Sequence, residues 1–192
     1  MGRAPTFDAA AVVRAARDVF WAHGYEEASL PDLESATGLS RSSIYHAFGS
    51  KRGLFDAAVT SYLDDVTRPR LRPLTAEHVA PDALAAYLSS LRDALTAAGS
   101  PAAAHGCLLL NASGAPVAHD PAVRATVAAY RDELRAGIGR GVAARHPDLP
   151  AAEQDRLAEA CTALVVAALL VVRVDPDAAA RSLDAATGLA AA

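Results

Sequence analysis

The chain has 192 residues, 52% of them hydrophobic but only 5% aromatic, and a formal charge of -4. That is enough to bury a core without covalent staples, with one core and a small appendage as the expectation, and much of the apolar content is alanine, which favours closely packed helices. The acidic balance excludes a protein coated with basic charge, so any polyanion site has to be local.

Cys107 and Cys161 lie far apart in apolar stretches and make no disulfide framework, which points to a reducing cytoplasm. The opening MGRAPTF lacks a basic segment followed by an apolar one, so no secretory signal is expected. The most apolar run, Cys161 to Val172, falls short of the roughly 20 residues a bilayer needs and reads as a buried helix.

From Asp8 to about His23, Ala11, Val12, Ala15, Val19 and Phe20 recur at three- and four-residue intervals, and Gly24 follows as a stop. Ser29, Leu30, Pro31 and Asp32 form a capping pattern that starts a second helix, ended by Gly38. Ser40 caps a third helix through Ile44, Tyr45 and Phe48, Gly49 breaks it, and Ser50 caps a fourth beginning at Lys51. The second and third helices with their glycine turn make a helix-turn-helix pattern over about 29–48. The fourth carries Leu54, Phe55, Ala58, Tyr62 and Val66 on one side and is expected to run to Arg68, where Pro69 and Pro73 interrupt it. Helical periodicity resumes over 81–98, around 107–112, and over 121–146, 151–173 and 176–189. No segment alternates like a strand, so the fold class is all-α.

The chemistry concentrates in the third and fourth helices. Between Arg41 and Arg52 there are three cations and no acid, against the charge of the whole chain, and Lys51 is its only lysine. A recognition helix enters the major groove with its N-terminal residues reaching base edges, while neighbouring helix N-termini bind phosphate. Ser42 and Ser43 are short enough for close approach, Arg41 can offer paired donors to guanine, and Tyr45 and His46 can donate to phosphate or stack on sugar. Lys51 sits at the positive end of a helix dipole, where a phosphate would compensate its charge.

At this point residues 8–66 resemble the DNA-binding domain of tetracycline-repressor (TetR) family transcription regulators. The matching positions are Ala15-Ala16, Phe20, Gly24-Tyr25, Ser29-Leu30, Ala36-x-Gly38-Leu39-Ser40, Ile44-Tyr45, Phe48-x-Ser50-Lys51 and Leu54-Phe55. The resemblance implies a helix-turn-helix domain over 6–66 and a C-terminal helical effector-binding and dimerisation domain over 67–192. It further implies a homodimer on a palindromic operator in double-stranded DNA, with recognition helices about 34 Å apart. Carried over by position, Ser29, Tyr45 and Lys51 match phosphate contacts, and Arg41, Ser42, Ser43 and His46 match the base-facing surface, with Ser40 capping that helix beside them. Two departures matter. Ala47 stands where a phosphate-touching His or Tyr often precedes the Phe, and Pro31 occupies a position from which some members read a base.

In the second half, Val123, Val127, Tyr130, Leu134, Ile138 and Val142 form one stripe, and Leu157, Cys161, Leu164, Val165, Ala168 and Val172 another. Two such helices, about 121–146 and 151–173, suit a four-helix bundle across a two-fold axis, the expected dimer interface. The run His105 to Asn111 looks like a G-C-L-x-x-N segment of some family members near the inducer pocket. Cys107 and Asn111 share a helix face and could line a cavity with Tyr62 and Tyr87, or fill the core and link helices instead.

The histidines show no metal-ligand spacing, so no metal and no cofactor are expected, and the apolar surroundings of Cys107 disfavour a thiol sensor. No phosphate-binding glycine loop or nucleophile elbow appears, so the protein is not expected to be an enzyme. The expected function is a cytoplasmic repressor, released when a small, largely apolar effector enters the C-terminal core. The coupling would run through the fourth helix, and no membrane partner is expected. Activation, or DNA binding without an effector, fits these residues too.

Overall fold

The structure, a computed structural model, describes residues 8–192. The stretch MGRAPTF and the first two residues of the domain expected over 6–66 lie outside the described residues. All regular structure among the described residues is helical. The chain packs as two compact units, the first ending at Val66 and the second starting at Thr67.

In the first unit, Asp8 caps α1 (Ala9–Glu27) by accepting from the N–H groups of Ala10 and Ala11 at 2.9 and 3.2 Å. Gly24 leaves helical geometry at φ 79°, ψ 173°, the break its position promised, although helical turns continue to Glu27. Ser29 and Asp32 form a complete capping box at the start of α2 (Leu30–Thr37). Gly38 follows at φ 68°, a left-handed conformation that a side chain disfavours. That residue turns the chain into α3 (Arg41–Phe48). The turn holds itself: Thr37 Oγ1 donates to the Leu33 carbonyl at 2.6 Å and accepts from the Leu39 N–H at 3.3 Å.

Ser50 caps α4 (Lys51–Tyr62), accepting from the Gly53 N–H at 2.9 Å. A Cβ at Gly53 would sit 2.0 Å from the Phe48 carbonyl oxygen, so glycine lets the first turn of α4 close onto the end of α3. The core beneath is aromatic. Phe20 and Phe55 meet edge to face at 5.2 Å, Tyr25 meets Phe55 at 5.1 Å, and Leu33, Ile44 and Leu54 are fully buried beside them. Each of these apolar side chains contributes roughly 1.5–3 kcal/mol by leaving water.

The proline-rich segment departs from expectation. A π-helical stretch, Leu63–Thr67, follows α4, and α5 (Arg68–Thr75) then runs through both prolines. Pro69 lies in the first turn, where the lost N–H matters little, while Pro73 deprives the helix of a bond. Leu71 and Leu74, at 2% and 0% exposure, anchor the helix in the core of the second unit and override that loss.

The rest of that unit is α6 (Ala83–Thr96), α7 (Pro101–His105), α8 (Leu108–Ser113), a 3-10 turn at Pro116–His119, α9 (Pro121–Arg145), α10 (Ala151–Val171) and α11 (Pro176–Ala191). Five residues are too few to display a helical period, which is why α7 had no signature in the sequence. Asp120 and Asp175 cap α9 and α11. Leu88, Leu95, Leu134, Ile138, Cys161, Val165 and Leu183 fill the core at 0–1% exposure. Across α9 and α10, Arg131 pairs with Glu159, and Arg135 with Glu159 and Asp155 at 3.1 and 3.2 Å. No helix of the described residues is long and apolar enough to cross a membrane.

Candidate nucleic-acid interface

The α3 surface is built by its cap. Ser40 accepts from the Ser43 N–H at 3.3 Å, and its hydroxyl lies 2.9 and 3.0 Å from those of Ser42 and Ser43, so three serines share one hydrogen-bonded cluster at the helix start. Ile44 is fully buried and fixes the opposite face. Arg41, Ser42, Tyr45 and His46 therefore project outward on the exposed side, with Ser43 half-buried. The Arg41 guanidinium lies 5.5 Å from the Tyr45 ring centroid, a cation–π contact that restrains both side chains before any ligand arrives.

Glu34, on α2, accepts a hydrogen bond from the Arg41 N–H at the first position of α3. A carboxylate there neutralises part of the positive end of the α3 dipole and locks the two helices of the motif together. With Ser40, Arg41, Ser42 and Tyr45 it lines a shallow exposed groove. Sequence reading missed Glu34, because it stands seven residues before Arg41 and only the turn at Gly38 brings them together.

Lys51, half-buried, stands at the first position of α4, its ammonium 4.8 Å from the centroid of the Tyr25 ring and 3.4 Å from the Glu26 carbonyl oxygen. Burial lowers its pKa, and the Glu26 carboxylate opposes that shift. An ammonium with one carbonyl and an aromatic face still has donors to give, so a phosphate oxygen would gain it a strong partner. Its neighbour Arg52 instead pairs with Asp56 at 2.8 Å one turn on. Ser29 uses its hydroxyl within the capping box, donating to Asp32 at 2.5 Å, and these bonds hold the Asp32 carboxyl below its usual pKa.

The four residues considered for an effector cavity fall in different settings. Tyr62 belongs to the first unit, buried with its ring centroid 4.9 Å from that of Trp21 in an edge-to-face contact. In the second unit Tyr87 is buried, and its hydroxyl is held well above its usual pKa by that burial. Cys107 is fully buried with its Sγ 3.8 Å from the Tyr130 hydroxyl, and Asn111 donates to the His105 carbonyl at 2.7 Å. Cys107 and Asn111 thus use polar atoms to tie elements of the core together.

Comparisons with known proteins bear on both units. Residues 12–58 match the family model described as bacterial regulatory proteins, tetR family. The chain is 36% identical to the uncharacterized HTH-type transcriptional regulator YezE of Bacillus subtilis (strain 168) over 121 residues, 63% of this chain and 61% of that protein. It is 36% identical to the HTH-type transcriptional repressor ComR of Escherichia coli (strain K12) over 111 residues, 57% and 51% of the two chains. The match therefore spans only about half to three-fifths of these curated relatives. Among solved structures, a cysteine mutant of the TetR family transcriptional regulator CifR, complexed with 26-bp double-strand operator DNA, is 31% identical with a TM-score of 0.78, covering 97% of this chain and 98% of that one.

Proposed function

Because the chain belongs to the TetR family of bacterial regulatory proteins, we propose that it is a repressor that binds a palindromic operator as a homodimer and lets go when a small molecule occupies its C-terminal helical unit. The observation that carries the DNA-binding part is the pairing of the exposed face of α3 with the tethered Lys51 ammonium. Arg41, Ser42, Ser43 and His46 face the bases in this reading. Tyr45 and Lys51 hold the phosphates, Ser29 joins them by turning its hydroxyl from Asp32 to a phosphate oxygen, and Ser40 sets the start of the helix, an arrangement in which backbone contacts position and base contacts specify.

Dimer formation is supported by α10. Its residues Ala160, Ala163, Ala167 and Leu170 recur at three- and four-residue spacing and are all exposed, Leu170 at 46%. Small residues on such a stripe let a second helix approach closely. In this reading the interface lies over about 121–146 and 151–173, and the two α3 helices of the dimer read half-sites roughly one DNA turn apart.

The test is retardation of DNA carrying the protein's own promoter at low ionic strength, followed by selection of binding sites from a random pool. A retarded, two-fold symmetric site is the expected result. For Arg41→Ala the selected site should lose preference at one position in each half, and an identical selected site would remove Arg41 from base reading. No retardation at any salt concentration would overturn the reading.

A further inference from the structure

A cavity of about 700 Å³ opens in the second unit between the end of α8, the 3-10 turn, and facing sides of α9 and α10. Leu110, Pro116, Val127, Ala128 and Val166 give it apolar walls, and its volume suits a small molecule. Its charged lining residues are Arg124 and Arg131, with His119 beside them and no carboxylate among the lining residues. This sign is opposite to that of the whole chain.

The two arginines are not equivalent. Arg131 is engaged by Glu159 and lies 3.9 Å from Asp132. Arg124, nearly two helical turns before it on α9, is exposed and makes no ion pair among the described residues. The nearest acid in sequence, Asp120, directs its carboxylate to the Ala122 and Val123 N–H groups at 2.8 and 3.3 Å. A guanidinium with five donors therefore stands at an apolar cavity without an anion to receive them.

We propose that this cavity is the effector site and that it takes an amphipathic monoanion, with a hydrocarbon or aryl body against the apolar walls and a carboxylate on Arg124. The inference rests on the reading of a small-molecule-released repressor and names its ligand class. It places the ligand against α9 and α10 rather than beside Cys107 and Asn111. Those two helices carry the proposed dimer face, so a molecule bracing them changes the dimer on which operator spacing depends. Charge-assisted bonds to the carboxylate set its affinity about tenfold to a hundredfold above that of a neutral molecule of the same shape.

The experiment is calorimetric titration of the full chain with matched acid and alcohol pairs: octanoate with 1-octanol, and phenylacetate with 2-phenylethanol. At least one acid should bind tenfold or more tightly than its alcohol, and Arg124→Gln, a change on an exposed residue, should erase that preference. No binding by either acid, equal binding of acid and alcohol, or an undiminished preference in Arg124→Gln overturns the site. DNA retardation with and without the acid separates the two readings. An Arg124-dependent acid that leaves the retarded complex intact keeps the site and overturns release, whereas a protein that never retards DNA overturns the repressor while calorimetry still decides the cavity.

Discussion

Lys51 gives the sharpest test of a single residue. Its ammonium already rests on the Tyr25 ring and the Glu26 carbonyl, so binding phosphate requires little reordering. Lys51→Ala should weaken DNA binding evenly across sequences and reduce the dependence of log affinity on log salt by about one unit, read from retardation or fluorescence titrations at several salt concentrations. An unchanged slope would remove Lys51 from the phosphate contacts. The sign of its pH effect follows from burial: with a native pKa below its unfolded value, the unfolded state binds more protons between the two values, so this group makes stability rise with pH across that alkaline window. A phosphate partner would restore the proton, so in that window DNA binding takes one up. Glu34 acts differently, through the backbone, by fixing where α3 begins.

Among the elements, the α3–α4 junction is the one a single methyl group can disrupt. Gly53→Ala would place a Cβ 2.0 Å from the Phe48 carbonyl oxygen, a backbone atom at the end of the recognition helix. The junction must open, at a cost of about 1–3 kcal/mol. Thermal denaturation should show a lowered midpoint, and a midpoint equal to the parent's would mean that α4 can shift without penalty. The capping box of α2 has its own pH signature. Because Ser29 lowers the pKa of the exposed Asp32, its contribution is present above the unfolded carboxyl value and is lost as pH falls through the native one.

At the scale of the whole molecule the question is how two copies present two recognition helices. Leu170 lies exposed on the alanine stripe of α10, and in the proposed dimer it is buried. Leu170→Glu would bring an unpaired carboxylate into an apolar contact, at a cost of several kcal/mol, so light scattering at micromolar concentration should report a monomer where the parent is dimeric. A dimeric variant would move the interface elsewhere. Effector release needs only a modest difference between states, since 1–3 kcal/mol of coupling changes operator affinity some 5- to 150-fold.

Local chemistry made the DNA-binding end legible in the sequence. Ser29, Ser40 and Ser50 are caps whose partners lie three residues away, Gly38 marks a left-handed turn, and the run from Arg41 to Arg52 carries three cations and no acid. Such signals depend on short separations along the chain, and so did the all-α assignment and the long helices α9 and α10. What they could not specify was set by contacts between distant residues. Glu34 reaches Arg41 only after the turn closes, α5 survives Pro73 only because Leu71 and Leu74 are buried, and Asn111 finds the His105 carbonyl across the start of α8. The cavity at Arg124 is likewise assembled from α8, α9, α10 and a 3-10 turn, and its unpaired charge becomes visible only once Asp120 is committed to the cap of α9 and Glu159 to Arg131. Hydrogen bonds inside a turn are written in the order of residues, whereas burial and charge compensation are sums over neighbours that only the folded chain brings together.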